Sequence, residues 1–176
     1  HGERRAGTVG PPLPDVEVRV VDDSGVHLAD GETGNLQVKG PNVFPGYWRM
    51  PEKSLEDFTD DGFFNTGDKA LIDPDGYVSI VGRAKDMIIS GGLNVYPKEV
   101  ELVIDDMAGI SESAVIGIAD VDFGEAVVAV IIGSGDPPTA DEIISHCKKQ
   151  LANFKVPKKV VVIDSLPRNA MGKVQN

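Results

Sequence analysis

Residues 76–101 read GYVSIVGRAKDMIISGGLNVYPKEVE, and the hydrophobic pattern changes within this stretch. Before Arg83 the pattern is that of a strand, which follows the turn Asp73-Pro74-Asp75-Gly76 of a predicted hairpin. After Arg83, Pro97 can open a helix because its missing N–H would be unpaired at that position anyway. The stretch therefore predicts a boundary near Arg83–Asp86, with little linker between a β-rich part and a mixed part.

The residues before this boundary alternate between apolar and polar side chains. Val16, Val18 and Val20 alternate with charged residues, and Leu36 and Val38 continue the pattern after a glycine-rich turn. A period of two residues is typical of half-buried strands. We therefore expect a β-rich, distorted barrel-like subdomain.

The residues after the boundary mix helix and strand patterns. A helical face is predicted for Val100, Val103, Ile104 and Met107, and buried strands for 113–118, 126–132 and 160–163. Thr139 and Glu142 have capping-box spacing ahead of a second helix through Cys147. The predicted class is therefore α+β, in which the β-rich subdomain precedes a small α/β domain with a short central sheet and flanking helices.

Composition limits the function classes. The 176 residues are 41% hydrophobic and carry a formal net charge of −11, which argues against general nucleic-acid binding. The last 29 residues are basic, with seven Lys or Arg and one acid, Asp164. This basic end predicts either local contacts to a polyanion or a solvated lysine-rich surface.

The lengths of the apolar runs and the number of cysteines predict the cellular compartment. The longest apolar run, 126–132, is far shorter than the roughly 18 residues that span a bilayer, so we expect a soluble chain. Cys147 is the only cysteine, which excludes an internal disulfide and fits the cytoplasm. Its apolar neighbours predict a half-buried helix position and a structural role. The chain starts at His1, so we expect a piece of a longer protein.

Two segments could bind a nucleotide. In Thr66-Gly67-Asp68, a carboxylate at a strand edge could accept two hydrogen bonds from a ribose diol, although most Gly-Asp pairs are simple turns. In Gly82-Arg83-Ala84-Lys85-Asp86, two cations lie beside an acid directly after a strand. The alternative for the second segment is a salt-bridged turn.

Two further segments carry glycines. Ser90-Gly91-Gly92 allows a close backbone approach and positive φ, or is only a tight turn. It lacks the Lys-Ser/Thr end of a phosphate-binding loop. In 167–173, PRNAMGK, Lys173 could act as a mobile point charge, or be an exposed lysine near the chain end.

The order and spacing of these segments resemble the adenylate-forming superfamily of acyl-CoA synthetases, luciferases and peptide-synthetase adenylation domains. The resemblance covers essentially the whole chain and includes residues 31–34, 46–48, 61–68, 76–77, 82–86, 90–101 and 172–173. Within the superfamily, GGLNVYPKEVE at 91–101 and PRNAMGK at 167–173 look most like malonyl-CoA synthetases.

The resemblance implies a role for each position. Residues 1–83 would be the β-rich end of a large N-terminal adenylation domain, and 84–176 a C-terminal lid with its hinge near Lys85. Asp68 and Arg83 would bind the ribose of ATP or AMP. Gly91 and Gly92 would line the pantetheine tunnel of coenzyme A. Lys173 would contact the acid carboxylate and the α-phosphate.

The implied activity is an AMP-forming ligation of a carboxylic acid to coenzyme A through an acyl-adenylate, with malonate or methylmalonate as the acid. ATP, coenzyme A and Mg²⁺ would be required, and the Mg²⁺ ligands would lie mostly outside this chain. The family's phosphate-binding loop and acyl pocket lie upstream, in the missing N-terminal domain. We therefore expect the 176-residue chain alone to be inactive. Close relatives also often carry a basic residue a few positions after the Gly-Lys pair, where this chain stops at Gln175-Asn176.

Two alternatives remain open. The first is a peptide-synthetase-type adenylation domain, although such domains usually have Asp at the hinge where Lys85 stands. The second is a non-catalytic binding module that uses the lid fold alone.

Overall fold

The computed structural model describes residues 3–172 and 174, and the chain divides into two compact units, His1–Lys85 and Asp86–Asn176. The predicted α+β class is confirmed, with a β-rich first unit and a second unit that mixes helices and strands. That these units are the end of a large domain and a lid, with domain limits at 83 and 84, stays a prediction.

The first unit is a four-stranded antiparallel meander in the order β1-β2-β3-β4. The strands are β1 (Glu17–Val21), β2 (Gly34–Lys39), β3 (Phe64–Ile72) and β4 (Val78–Arg83). β1 and β4 form the two edges, and within residues 3–172 and 174 they do not pair with each other. The sheet is therefore open, and the barrel-like form that we expected does not close.

Each strand of the first unit contributes one residue to the core cluster of its sheet. Val20, Leu36, Ala70 and Val78 form its core cluster. The predicted hairpin is confirmed, because the Asp73 carboxylate accepts the N–H groups of Asp75 and Tyr77 at 2.9 and 2.8 Å. Helix α1 (Pro51–Asp57), which the sequence analysis did not anticipate, lies between β2 and β3.

The second unit is a five-stranded mixed sheet with two helices. Its strands are β5 (Ile88–Ser90), β6 (Leu93–Val95), β7 (Ile110–Asp120), β8 (Gly124–Gly133) and β9 (Lys159–Val162). The order is β6-β5-β8-β7, and β9 pairs in parallel with β8. Helices α2 (Pro97–Asp105) and α3 (Ala140–Gln150) confirm the two predicted helices. No helix in the described part of the chain is long and apolar enough to cross a membrane.

Both helices pack their apolar faces into the core of the second unit. α2 buries Val100 and Ile104, and α3 buries Ile143 and Cys147. The expected half-buried position of Cys147 was wrong, because the thiol lies on the inner face of α3 and is 0% exposed. Burial raises the pKa of this thiol, which keeps it protonated and suits the structural role that we predicted. The Thr139–Glu142 capping box is also confirmed.

The two units differ in the size of their cores. Eleven buried residues form the core cluster of the second unit, against four in the first. Because the slowest amide exchange follows the most buried hydrogen-bonded strands, we expect the amides of β7 and β8 to exchange more slowly than those of β2 and β3. Amide hydrogen exchange on the 176-residue chain measures this, and the reverse order of protection would contradict it.

Candidate functional sites

Asp68 and Arg83 form an ion pair at the end of the β3–β4 ladder. The two residues are direct partners in the antiparallel register, and Arg83 Nε lies 3.0 Å from Asp68 Oδ1. Thr66 supports the approach to Asp68, because its hydroxyl donates to the Leu36 carbonyl at 2.9 Å and accepts the Asp68 N–H at 3.1 Å. Gly67 between them has φ +75°, which favours glycine. The fold therefore brings together two residues that the sequence placed in separate motifs.

This pair has the chemistry to hold a diol. Arg83 Nε contacts the Asp68 carboxylate at Oδ1. The Arg83 side chain is 51% exposed and the Asp68 side chain 20%. A carboxylate held on one oxygen can accept hydroxyl donors on its remaining lone pairs. The arrangement is equally a salt-bridged strand end, so the ribose role of Asp68 and Arg83 stays a prediction.

Gly91 and Gly92 form the two-residue turn of the β5–β6 hairpin. Ser90 and Leu93 close the turn as register partners, and the glycines have φ of +59° and +78°. Positive φ at both central positions defines a type I′ turn, which accounts for two glycines without any ligand. A Cβ built on Gly92 would meet no atom within 4 Å. The steric role predicted for Gly92 therefore concerns a bound molecule rather than the packing of the hairpin.

Lys173 lies outside the described residues, but the turn that precedes it is well defined. The N–H groups of Met171 and Gly172 donate to the side-chain and backbone oxygens of Asn169, each at 2.9 Å. Arg168 Nη1 donates to the Gly172 carbonyl at 2.9 Å, and its Nη2 donates to the Glu112 carboxylate at 2.6 Å. Arg168 therefore ties the turn to β7.

The contacts of Arg168 with Gly172 and Glu112, here called the Arg168 clamp, could not be predicted from the sequence for a physical reason. Arg168 lies inside a quoted motif, yet its partner Glu112 is 56 positions away in the chain. A single half-buried glutamate near the start of a strand carries no local signal for such a contact. The Arg168–Glu112 pair is visible only when the fold brings the two segments together.

Lys85 is exposed in the 3₁₀ turn Ala84–Asp86, and the two units divide directly after it. Its role as a hinge stays a prediction. Among the residues that the structure describes, no cluster of three or more His, Cys, Asp or Glu could hold a metal ion.

The basic end of the chain is partly neutralised within its own unit. Lys155 Nζ contacts both carboxylate oxygens of Glu99 at 2.7 Å. Lys158 Nζ lies 4.1 Å from the centre of the Phe123 ring, within the range of a cation–π contact. These two cations therefore have local partners, which favours the lysine-rich surface over a polyanion site at their positions.

Comparison with family models identifies both ends of the chain. Residues 1–48 match the model of the AMP-binding enzyme family, and residues 99–173 match the model of the AMP-binding enzyme C-terminal domain.

Individual relatives are longer than this chain. A long-chain-fatty-acid–CoA ligase of Salmonella typhimurium is 40% identical over 169 residues, which are 96% of this chain and 30% of the relative. A malonate–CoA ligase of Arabidopsis thaliana is also 40% identical, over 99% of this chain and 30% of the relative. The crystal structure of ATP-bound MatB from Rhodopseudomonas palustris has a TM-score of 0.93 and 55% identity, over 99% of this chain and 35% of that one. The chain thus spans about a third of these proteins.

If the Arg168 clamp holds the turn at 169–172, replacing Arg168 should make that turn less ordered. Arg168→Gln should raise the exchange rates of the Met171 and Gly172 amides, because the turn loses its tie to Glu112. Arg168→Lys should have a smaller effect, since a lysine keeps the charge but cannot bond two acceptors in a fixed geometry. NMR amide exchange on the 176-residue chain measures both variants. Equal exchange in the Gln variant and the unmodified chain would show that the turn is held without the clamp.

Proposed function

We propose that this chain is the C-terminal part of an ATP-dependent acid–CoA ligase of the AMP-binding enzyme family. The observation that carries the proposal is the Asp68–Arg83 pair, in which two separately predicted nucleotide residues meet at one strand end. The names of the two ligase relatives support the same class. The complete site would include the upstream domain that the resemblance implies.

The proposed first step joins the acid to AMP. A carboxylate oxygen attacks the α-phosphorus of ATP, and the bond from that phosphorus to pyrophosphate breaks. Asp68 accepts the ribose hydroxyls, while Arg83 holds the Asp68 carboxylate in place. Lys173 supplies a positive charge where negative charge grows on the α-phosphate and the attacking acid. Mg²⁺ neutralises the phosphates when bound, with its ligands mostly outside this chain.

The proposed second step transfers the acyl group to the thiol. The coenzyme A sulfur attacks the acyl carbonyl, the bond from that carbon to the AMP oxygen breaks, and the thiol proton passes to solvent. The open space beside Gly92, in the Gly91–Gly92 turn, gives the thin pantetheine arm access to the backbone. A lid that turns about Lys85 would present Lys173 in the first step and the glycine turn in the second.

Malonate or methylmalonate is the acid that we propose. The support is the likeness of residues 91–101 and 167–173 to malonyl-CoA synthetases, together with the malonate–CoA ligase relative. The equally identical long-chain-fatty-acid ligase makes long-chain acids the competing substrates. A panel of acids supplied to the full-length protein separates these, and a preference for long chains would reject malonate while leaving the reaction class intact.

Two other functions remain as alternatives. A peptide-synthetase-type adenylation domain would transfer the acyl group to a carrier-protein thiol and would not need free coenzyme A. A non-catalytic binding module would form no adenylate at all. The ligase is favoured because both ligase relatives align over at least 96% of this chain.

The ribose role of Asp68 predicts weaker nucleotide binding in a full-length variant. Asp68→Ala should weaken ATP binding by about 1–3 kcal/mol, since a hydrogen bond to a charged acceptor is lost. Asp68→Asn keeps one acceptor oxygen and should weaken it less. Asp75→Asn, in the turn of the same hairpin, is the matched control. Isothermal titration calorimetry measures the affinities, and unchanged ATP binding by Asp68→Ala would refute the assignment.

The two half-reactions should separate by variant. Lys173→Ala should abolish acid-dependent ATP–pyrophosphate exchange by the full-length protein, yet leave thioester formation from a supplied acyl-adenylate largely intact. Gly92→Asn should do the opposite, because Asn tolerates the positive φ of this position while placing a side chain over the turn. Lys149→Ala, an exposed lysine on α3, is the control for Lys173. Equal loss of both half-reactions in both variants would reject the alternating lid.

A further inference from the structure

The β5–β6 hairpin has few main-chain ties to the rest of its sheet. The β5–β8 ladder contains a single register pair, Ser90↔Gly124. β7 and β8, by contrast, pair along nearly their whole lengths. A hairpin attached by one ladder pair needs further contacts to hold a fixed position, because an isolated two-stranded hairpin is marginal at best in water.

The turn geometry determines which amides of β5 face β8. In a two-residue turn the closing pair, Ser90 and Leu93, exchanges its hydrogen bonds within the hairpin. Ile89 is the next residue and forms a non-hydrogen-bonded pair with Asn94. Its N–H therefore points away from β6, where the short β5–β8 ladder offers it no backbone partner.

Glu125 supplies that partner. One oxygen of its carboxylate, Oε2, accepts the Ile89 N–H at 2.6 Å. The Gly91 N–H donates to the Phe123 carbonyl at 2.8 Å, so two residues beside Gly124 bond the hairpin directly. A carboxylate acceptor is the stronger of these two contacts, since charge-assisted hydrogen bonds are roughly twice as strong as neutral ones.

The neighbouring strand leaves room for this carboxylate. A Cβ built on Gly117 would lie 2.8 Å from Glu125 Oε1 and 3.1 Å from Ile88 Cγ2. The backbone of Gly117 does not require glycine through positive φ. Its missing side chain is instead explained by the space that the Glu125 carboxylate occupies.

We infer that Glu125 is a positioning residue for the thiol-transfer step, acting through the Ile89 amide to hold the Gly91–Gly92 turn in place. The inference rests on the proposed function, in which that turn receives the pantetheine arm of coenzyme A. Glu125 contacts the hairpin and not the reacting atoms. Loss of the contact leaves the turn attached only through the Gly91–Phe123 bond and the Ser90–Gly124 pair, so coenzyme A must order the turn further as it binds.

The test has a structural and a kinetic arm. In the 176-residue chain, Glu125→Ala should raise the exchange rate of the Ile89 amide about tenfold or more, because the amide loses a charged acceptor. In the full-length protein, the same change should raise the KM for coenzyme A about tenfold and leave ATP–pyrophosphate exchange unchanged. Glu125→Gln retains an acceptor oxygen and should restore most of both properties. Asp122→Ala, in the turn between β7 and β8, is the control and should change neither.

Gly117→Ala provides an independent variant, because its methyl group displaces the carboxylate while Glu125 remains. It should reproduce the effects of Glu125→Ala on the Ile89 amide and on the KM for coenzyme A. An unchanged Ile89 exchange rate in Glu125→Ala overturns the inference whatever the kinetics. The inference is also overturned if Glu125→Ala speeds exchange of the Ile89 amide without changing the KM for coenzyme A, while Gly92→Asn does raise that KM. If neither Glu125→Ala nor Gly92→Asn changes the KM, the pantetheine role of the turn fails instead.

Discussion

The pairing of β7 with β8 is the constraint on which both candidate turns of the second unit depend. Glu112, near the start of β7, binds Arg168 and so holds the turn that leads to Lys173. Glu125, at the start of β8, holds the glycine turn through the Ile89 amide. Glu125 is the register partner of Ala119, seven residues along β7 from Glu112. At about 3.4 Å per residue, the two anchors lie about 24 Å apart along one hairpin.

This separation bears on the proposed lid, which would present a different turn in each half-reaction. The anchors lie near opposite ends of the same paired strands, whose inner faces carry Val115, Val127, Ala129 and Ile131 in the core. Because packed cores deform little, the two turns should keep their spacing while the unit moves as a body. When one turn is brought to the reaction centre, the other turn would then be carried away from it. The proposed order of adenylation and thiol transfer requires that only one of the two turns lies at the reaction centre at a time.

Much of the fold followed from local patterns. The Thr139–Glu142 box, the Pro97 helix start and the turn at Asp73 were predicted because each depends on residues within a few positions. Helix α1 was missed, since none of its side chains is buried and it shows no apolar face to detect. The contacts of Glu112 and Glu125 cross 56 and 36 positions and depend on the tertiary register, which local patterns do not carry. The paired glycines were found in the sequence, but their positive φ is also what a type I′ turn requires. A tight turn and close approach of a ligand to the backbone both favour glycine, so the sequence pattern does not separate them.

We propose that the full-length protein activates an acid as its adenylate before thiol transfer, and the transfer of an oxygen isotope from the acid to AMP tests this directly. Malonate labelled with ¹⁸O in its carboxylates is incubated with full-length protein, ATP, Mg²⁺ and coenzyme A. Adenylation makes one carboxylate oxygen the bridge to phosphorus, and thiol attack then leaves that oxygen on AMP. Mass spectrometry should find one ¹⁸O atom in the AMP phosphate for each malonyl thioester formed. Thioester accompanied by unlabelled AMP, or by ADP and phosphate, would contradict it.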